Sequence, residues 1–312
     1  AWSASRRRPI TPTSIFEAGL LTVDSPGRLL IFGLGYTGAA IGLAAAAAGY
    51  EVTATSRQPG LTGPPGIAVI PFDAADEATA AATHIVATAA PDAGGDPALA
   101  RYGAAIAAAP GLRWLGYLSS TGVYGDRGGG WVDEASAPAP TSRRATARRA
   151  AEGAWEAISA ARGTPVDIIR LAGIYGPGRS PLDDLRAGRA RRIGKPGHAF
   201  GRIYRDDIAE GVLAAMAQAG TLAGARVLNF NDDLPAEPAA VVEEAARLLG
   251  MPPPPLVPFA EAEAGMTPMG RSFWAESRRV SSAATQAALG RPWRFPTFRE
   301  GLRAIMALEA NG

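Results

Sequence analysis

Three glycines in the spacing G-x-G-x-x-G, Gly33, Gly35 and Gly38, follow the apolar run 29–32 and precede the Ala-rich stretch 37–48, which stops at Gly49. Such a spacing serves to hold a phosphate. The first glycine permits a tight turn, the second lets backbone N–H groups approach a pyrophosphate, and the third lets the next helix pack on the strand, whose following helix start adds partial positive charge. Gly33, Gly35, Tyr36, Thr37 and Gly38 are the candidate cofactor residues of this loop, and the cofactor they suit is a dinucleotide. A second run, Y-L-S-S-T-G-V-Y-G-D from Tyr117 to Asp126, sets three hydroxyl residues at the end of another apolar segment. A hydroxyl can donate to a developing oxyanion while accepting from a neighbour, which suits carbonyl and alcohol chemistry. The alternative is that Ser119, Ser120 and Thr121 satisfy backbone groups where a strand ends.

The elements that must position these residues are legible as alternation. Strand-like runs at 29–32, 50–55, 68–72, 84–87, 114–118, 166–171 and 226–230 alternate with helical patterns at 37–48, 96–109, 143–161 and 206–218. This order predicts an α/β fold, a Rossmann-type doubly wound parallel sheet with helices on both faces. After residue 231 the composition changes: Pro235, Pro238, the run 252–255 and Pro258 interrupt a helical stretch at 236–249, and a Trp/Arg/Pro-rich tail follows. We read a dinucleotide-binding domain at 28–176 and 205–231, a smaller substrate-capping lobe at 177–204 and 232–312, and an N-terminal arm at 1–27.

Composition limits the chemistry. The 312 residues suffice for a large core, and the formal charge of +2, with no basic stripe interleaved with aromatics, predicts no nucleic-acid surface. There is no Cys, and His84 and His198 are the only histidines, so no metal site is expected. No apolar run reaches the 18–20 residues of a membrane span, and a soluble, cytoplasmic protein is expected. The arm carries Arg6, Arg7 and Arg8 among Ser, Thr and Pro without an apolar signal core; a minor alternative is an organelle transit segment.

Taken in order, six segments make the chain resemble the extended short-chain dehydrogenase/reductase superfamily, the NAD(P)-dependent epimerases, dehydratases and reductases. They are the glycine loop, Asp73 after the third strand, S-S-T-G-V-Y-G at 119–125, R-L-A-G-I-Y-G-P-G-R at 170–179, R-I-Y-R-D-D-I at 202–208 and R-F-P-T-F-R-E-G-L at 294–302. The resemblance implies that Ser120, with Thr121 in reserve, polarises the substrate oxygen, that Asp73 receives the adenine amino group, and that a homodimer forms through helices on one sheet face. Asp73 read alone is a helix N-cap.

The departure from that family matters as much. Its usual proton donor is a Tyr followed four residues later by Lys, yet Lys195 is the only lysine here and no Y-x-x-x-K exists. Aligning the Glu that commonly follows onto Glu152 puts Arg144 in the Tyr position and Arg148 in the Lys position. Arg148 can still contact the cofactor, whereas a guanidinium has no useful proton to exchange near neutrality. Read blandly, these arginines are a solvated helix face with Arg148 and Glu152 paired at i,i+4. Substitute acids are Tyr124, which we prefer, and Tyr175, Tyr204 or His198.

After the second strand the chain reads T-A-T-S-R-Q; Ser56 and Arg57 stand where NAD-preferring sites carry a carboxylate, so NADP is favoured over NAD. Arg179, Arg186, Arg189, Arg191, Arg192 and Arg202 crowd the region where the family builds its substrate pocket, which suits an anionic small-molecule substrate or, blandly, a solvated helix at 182–192. Arg278 and Arg279 lie where relatives place basic residues at the substrate mouth. Two functions follow: an NADP-linked oxidoreductase or epimerase/dehydratase-like enzyme with a non-standard active site, or a catalytically silent NAD(P)-binding redox sensor or structural subunit.

Overall fold

The computed structural model describes residues 26–310; the arm 1–27 lies almost wholly outside the described residues. Seven parallel strands form the central sheet: β1 (Arg28–Phe32), β2 (Glu51–Ser56), β3 (Ile67–Pro71), β4 (His84–Ala87), β5 (Trp114–Ser120), and the strands Val166–Leu171 and Ala225–Phe230. Their order from one edge is Ala225–Phe230, Val166–Leu171, β5, β4, β1, β2, β3. The chain therefore runs outward from β1 to β3 and then crosses to β4 on the other side of β1. That reversal opens a crevice at the carboxyl ends of β1 and β4, where doubly wound sheets bind ligands.

Burial on both faces explains the near-continuous apolar strands. On β1, Leu29 and Ile31 pack on one face with Ile41 of α1 (Tyr36–Ala47) and with Val212 and Met216 of the helix Arg205–Ala217. Leu30 and Phe32 pack on the other, with Tyr102 and Ile106 of the helix Pro97–Ala108 and Trp155 of the helix Arg143–Arg162. Local signals set the boundaries. The Asp96 and Ser142 side chains cap the starts of those last two helices, and the second ends at Gly163 in the left-handed region.

A third apolar cluster lies off the sheet, where Leu182 and Leu185 meet Val241 and Val242 of the helix Pro238–Leu248 and Phe298, Leu302 and Ile305 of the helix Phe298–Ala310. Three separate short parallel ladders accompany the sheet: Gly173–Tyr175 with Arg202–Tyr204, Arg192–Gly194 with Leu256–Pro258, and Trp131–Val132 with Arg279–Val280. Two expectations change. Pro238 begins its helix rather than interrupting it, since a proline in the first turn gives up an N–H that has no partner anyway. The helix expected over 182–192 is the short segment Pro181–Arg186, ended at Ala187 ahead of Gly188, with Leu182 and Leu185 buried rather than solvated.

Candidate functional site

The crevice is a cleft of about 750 Å³ with two unlike walls. The first is the glycine loop. Gly33 has φ +111°, which glycine alone adopts freely, and its N–H donates to Thr55 Oγ1 at 3.2 Å. A Cβ on Gly38 would run into the Gly33 carbonyl oxygen, whereas one on Gly35 would meet nothing within 4 Å. Gly35 starts α1 without a side-chain cap, so the N–H groups of the first turn stay available beside Gly35, Tyr36, Thr37 and Gly38, all of which line the cleft. Thr88, just past β4, donates to the Gly33 carbonyl at 2.7 Å and fixes the loop from the neighbouring strand. An open glycine over uncapped N–H groups at a switch point fits a pyrophosphate.

Tyr36 ties this wall to the far side, its hydroxyl donating to the Pro177 carbonyl at 3.0 Å with the Arg205 and Arg179 guanidiniums against its ring. Outside the cleft, the exposed Arg57 follows β2 and makes no hydrogen bond or ion pair among the described residues, and Ser56 Oγ accepts from Gln58 N at 2.9 Å. Asp73 corrects an expectation. It sits in the 3-10 turn Phe72–Ala74 and is not a helix N-cap: the next helix, Asp76–Ala81, has Ala75 at that position, and the exposed Asp73 carboxylate makes no hydrogen bond among the described residues.

The second wall is built from β5 and the helix Arg143–Arg162. Ser120 ends β5, and its Oγ accepts from Gly122 N at 3.1 Å, which leaves the hydroxyl proton for the cleft; Thr121 lines the cleft beside it. Beneath them lies a buried ion pair. Arg170 grips Glu152 with two hydrogen bonds of 3.0 and 2.8 Å, and Ser119 Oγ donates to Glu152 at 2.6 Å. The pair thus holds the strand end that carries Ser120.

This network overturns two expectations. Glu152 does not pair with Arg148: its carboxylate faces the sheet, with Arg149 as a further donor at 3.3 Å, while Arg148 turns into the cleft and donates to the Leu118 carbonyl at 2.5 Å and the Tyr117 hydroxyl at 3.3 Å. Tyr124 is also not a cleft residue. It is fully buried beneath the turn, its ring under the Arg170 guanidinium at 4.7 Å and its hydroxyl donating to Asn229 Oδ1 at 2.8 Å, and burial pushes its pKa up. The other substitute acids fare no better. Tyr175 lines the cleft, but burial drives its pKa far above the usual phenol range. Tyr204 is buried against Phe295, with its pKa pushed up to about 12 by burial. His198 is buried against Trp274, 5.5 Å between ring centroids, and burial lowers its pKa.

The expected arginine cluster divides. Arg186 pairs with Glu309 at 2.6 Å, Arg189 with Asp184 at 3.1 Å, and Arg192 with Glu243, all away from the cleft. Arg179 and Arg202 line it together with Arg144, Arg148 and Arg278, against Glu276 as the one carboxylate among the described lining residues. Arg278 donates through Nη1 to Glu276 at 2.6 Å and to the Gly125 carbonyl at 2.8 Å. Arg279 reaches the Gly129 carbonyl instead. Behind Arg202, Asp232 is buried with neither carboxylate oxygen hydrogen-bonded among the described residues. Burial pushes its pKa up to about 8 while the Arg202 guanidinium pulls the other way. Sequence reasoning missed Thr88, for which a Thr at a strand end was the available signal. It also missed Phe273 and Glu276, which reach the cleft from far along the chain beyond the helix Arg143–Arg162 and carry no local signal.

No family model matches the sequence. A conserved protein of unknown function from Silicibacter pomeroyi DSS is 42% identical, and its structure superposes over 90% of this chain and 98% of that one with a TM-score of 0.82. The human epimerase family protein SDR39U1, solved with NADPH, has the same fold, with a TM-score of 0.68 over 90% of this chain and 99% of that one at 21% identity. Protein YeeZ of Escherichia coli K12 is 35% identical over 140 residues, 44% of this chain and about half (47%) of YeeZ.

Proposed function

We propose, on the premise that this chain is an atypical extended short-chain dehydrogenase/reductase of one family with the conserved Silicibacter pomeroyi protein, that it binds NADP in preference to NAD and works as an oxidoreductase or epimerase/dehydratase-like enzyme on a small molecule. The observation that carries this reading is the glycine-loop wall, Gly35 to Gly38 with Gly35 open, in one cleft with Ser120 at the switch point of the sheet. Gly35, Tyr36, Thr37 and Gly38 would hold the pyrophosphate, and Arg57, free after β2, would meet a 2′-phosphate beside Ser56, with Asp73 toward the adenine. That SDR39U1 was solved with NADPH agrees with a nicotinamide dinucleotide in this cleft. The cofactor would supply hydride transfer.

The chain's own part is orientation. Ser120, held by the Gly122 N–H and by the Ser119–Glu152 bond next door, presents its hydroxyl proton to a substrate oxygen; Thr121 stands beside it. Arg148 fastens the end of β5 through the Leu118 carbonyl and faces the cofactor side with its remaining donors. A guanidinium cannot replace the tyrosine acid, so protonation falls to water or to the substrate. That same observation, with Tyr124 out of the cleft, favours the second reading, a cofactor-binding sensor without turnover. Titration by nicotinamide fluorescence tests the proposal: wild type saturates with NADPH, and Gly35→Asp, folded by circular dichroism, does not. Equal binding by the two would overturn it. Ser120→Ala separates the readings, since it abolishes hydride transfer in an enzyme and leaves cofactor affinity unchanged in a sensor.

A further inference from the structure

We infer that Arg144 receives an oxyanion, a carboxylate or phosphate, carried on the reacting end of the substrate, so that the substrate's charge is bound beside Ser120. This rests on the reading that the cleft holds substrate at Ser120, and it names the chemistry of that substrate. Among the described residues five guanidiniums line the cleft, and three are committed within the protein: Arg148 to the Leu118 carbonyl, Arg202 to the Phe200 and Ala236 carbonyls, and Arg278 through Nη1 to Glu276. Arg179 lies over Tyr36 on the glycine-loop side. Arg144 lies on the Ser120 side and makes no side-chain hydrogen bond or ion pair among the described residues; its guanidinium carbon lies 5.6 Å from the ring of Phe273, which is itself 54% exposed at the cleft.

Local geometry brings the start of the Arg144 helix close to Ser120. The space over Gly122 is bounded by Ser120 Oγ at 3.3 Å, Arg278 Nη2 at 3.8 Å and Ala145 Cβ at 3.9 Å from where a side chain would begin. Ala145 is the next residue after Arg144, so the Ser120 hydroxyl, Arg278 Nη2 and the start of the Arg144 helix come together around Gly122 at the cleft. Arg144 is exposed at the rim of the cleft; its guanidinium presents a planar fork of donors that matches two oxygens of a carboxylate or phosphate. A substrate charge there would fix which carbon lies against Ser120 and would offset the positive charge of the wall.

The test is calorimetric titration of the full chain with inorganic phosphate and, separately, malonate, each with and without saturating NADPH. Wild type binds one of the two saturably, Arg144→Ala weakens that binding about tenfold or more, and Arg144→Lys weakens it less. Arg189→Ala, which removes an arginine outside the cleft, and the NADPH affinity of Arg144→Ala change less than about twofold on the same scale. Preference for phosphate marks a phosphorylated substrate, and preference for malonate a carboxylic acid. Absence of binding to wild type, or equal affinity in Arg144→Ala, overturns the inference. Failure of NADPH to bind, with an Arg144-dependent anion still bound, would instead sink the cofactor reading alone.

Discussion

The two walls of the cleft are made of different materials. The glycine-loop wall works through backbone: its turn, its uncapped helix start and its clamp from Thr88 need little side-chain chemistry. The wall formed by β5 and the helix Arg143–Arg162 works through charge, with Glu152 and Arg170 buried beneath it, Asp232 and Arg202 behind it, and Arg144 and Arg278 at its surface. Backbone geometry is written in short glycine spacings, whereas buried charge is held by partners far apart in sequence. The first wall should therefore fail by steric damage and the second by loss of a charge partner.

The largest expected effect is at the buried pair. Glu152→Ala leaves the Arg170 guanidinium without its carboxylate and should cost about 3–5 kcal/mol in urea unfolding, against the fraction of a kcal/mol typical of exposed pairs such as Arg189–Asp184. A loss below about 1 kcal/mol would mean that the charged wall does not depend on this pair. Next comes the glycine wall. Gly38→Ala forces a methyl onto the Gly33 carbonyl and should cost about 1–3 kcal/mol, while Gly35→Ala, facing open space, should change stability by less than about 1 kcal/mol and weaken NADPH binding. Equal destabilisation by the two would break the division of roles between these glycines.

The walls should also differ with pH. The folded-state pKa of Asp232 is raised to about 8 by burial, above the ordinary carboxylate value, so the folded protein binds this proton more tightly than the unfolded chain does. Its stabilising contribution is complete below about pH 4 and is lost as pH rises toward 8. Measured as a difference, Asp232→Asn should gain on wild type by about 1 kcal/mol or more between pH 5 and pH 8. A difference that does not move with pH would show that Asp232 stays charged in the fold. The smallest effect is at the adenosine end, where Arg57→Ala should weaken NADPH about tenfold, leave NADH unchanged, and leave stability within about 0.5 kcal/mol.

Much of the sheet was legible in the sequence because its central strands are apolar on both faces and several helices carry a local stop or cap, as at Gly49, Asp96 and Gly163. The three short ladders were not, since two or three residues carry no period. The glycine loop was legible for the same local reason. Arg148 and Glu152 were read as partners because i,i+4 spacing favours it, but Arg170, 18 residues beyond Glu152, offers two hydrogen bonds from a buried strand and wins. Tyr124 was misplaced because its turn starts at the cleft with Ser120, Thr121 and Gly122, while the ring, too large and apolar to leave exposed, goes under it. No spacing marks Arg144 as uncommitted; that depends on which carbonyls and carboxylates the fold brings to its neighbours.

The central claim is that the glycine wall holds a nicotinamide dinucleotide with its 2′-phosphate at Arg57. Titrating the wild-type protein in parallel with NADPH and NADH, by nicotinamide fluorescence and by melting temperature, tests it most directly. The account predicts saturable binding of both, tighter for NADPH, with stabilisation of about 2.7 kcal/mol when NADPH is present at a hundred times its Kd. Binding of neither nucleotide, with the protein folded, would contradict it.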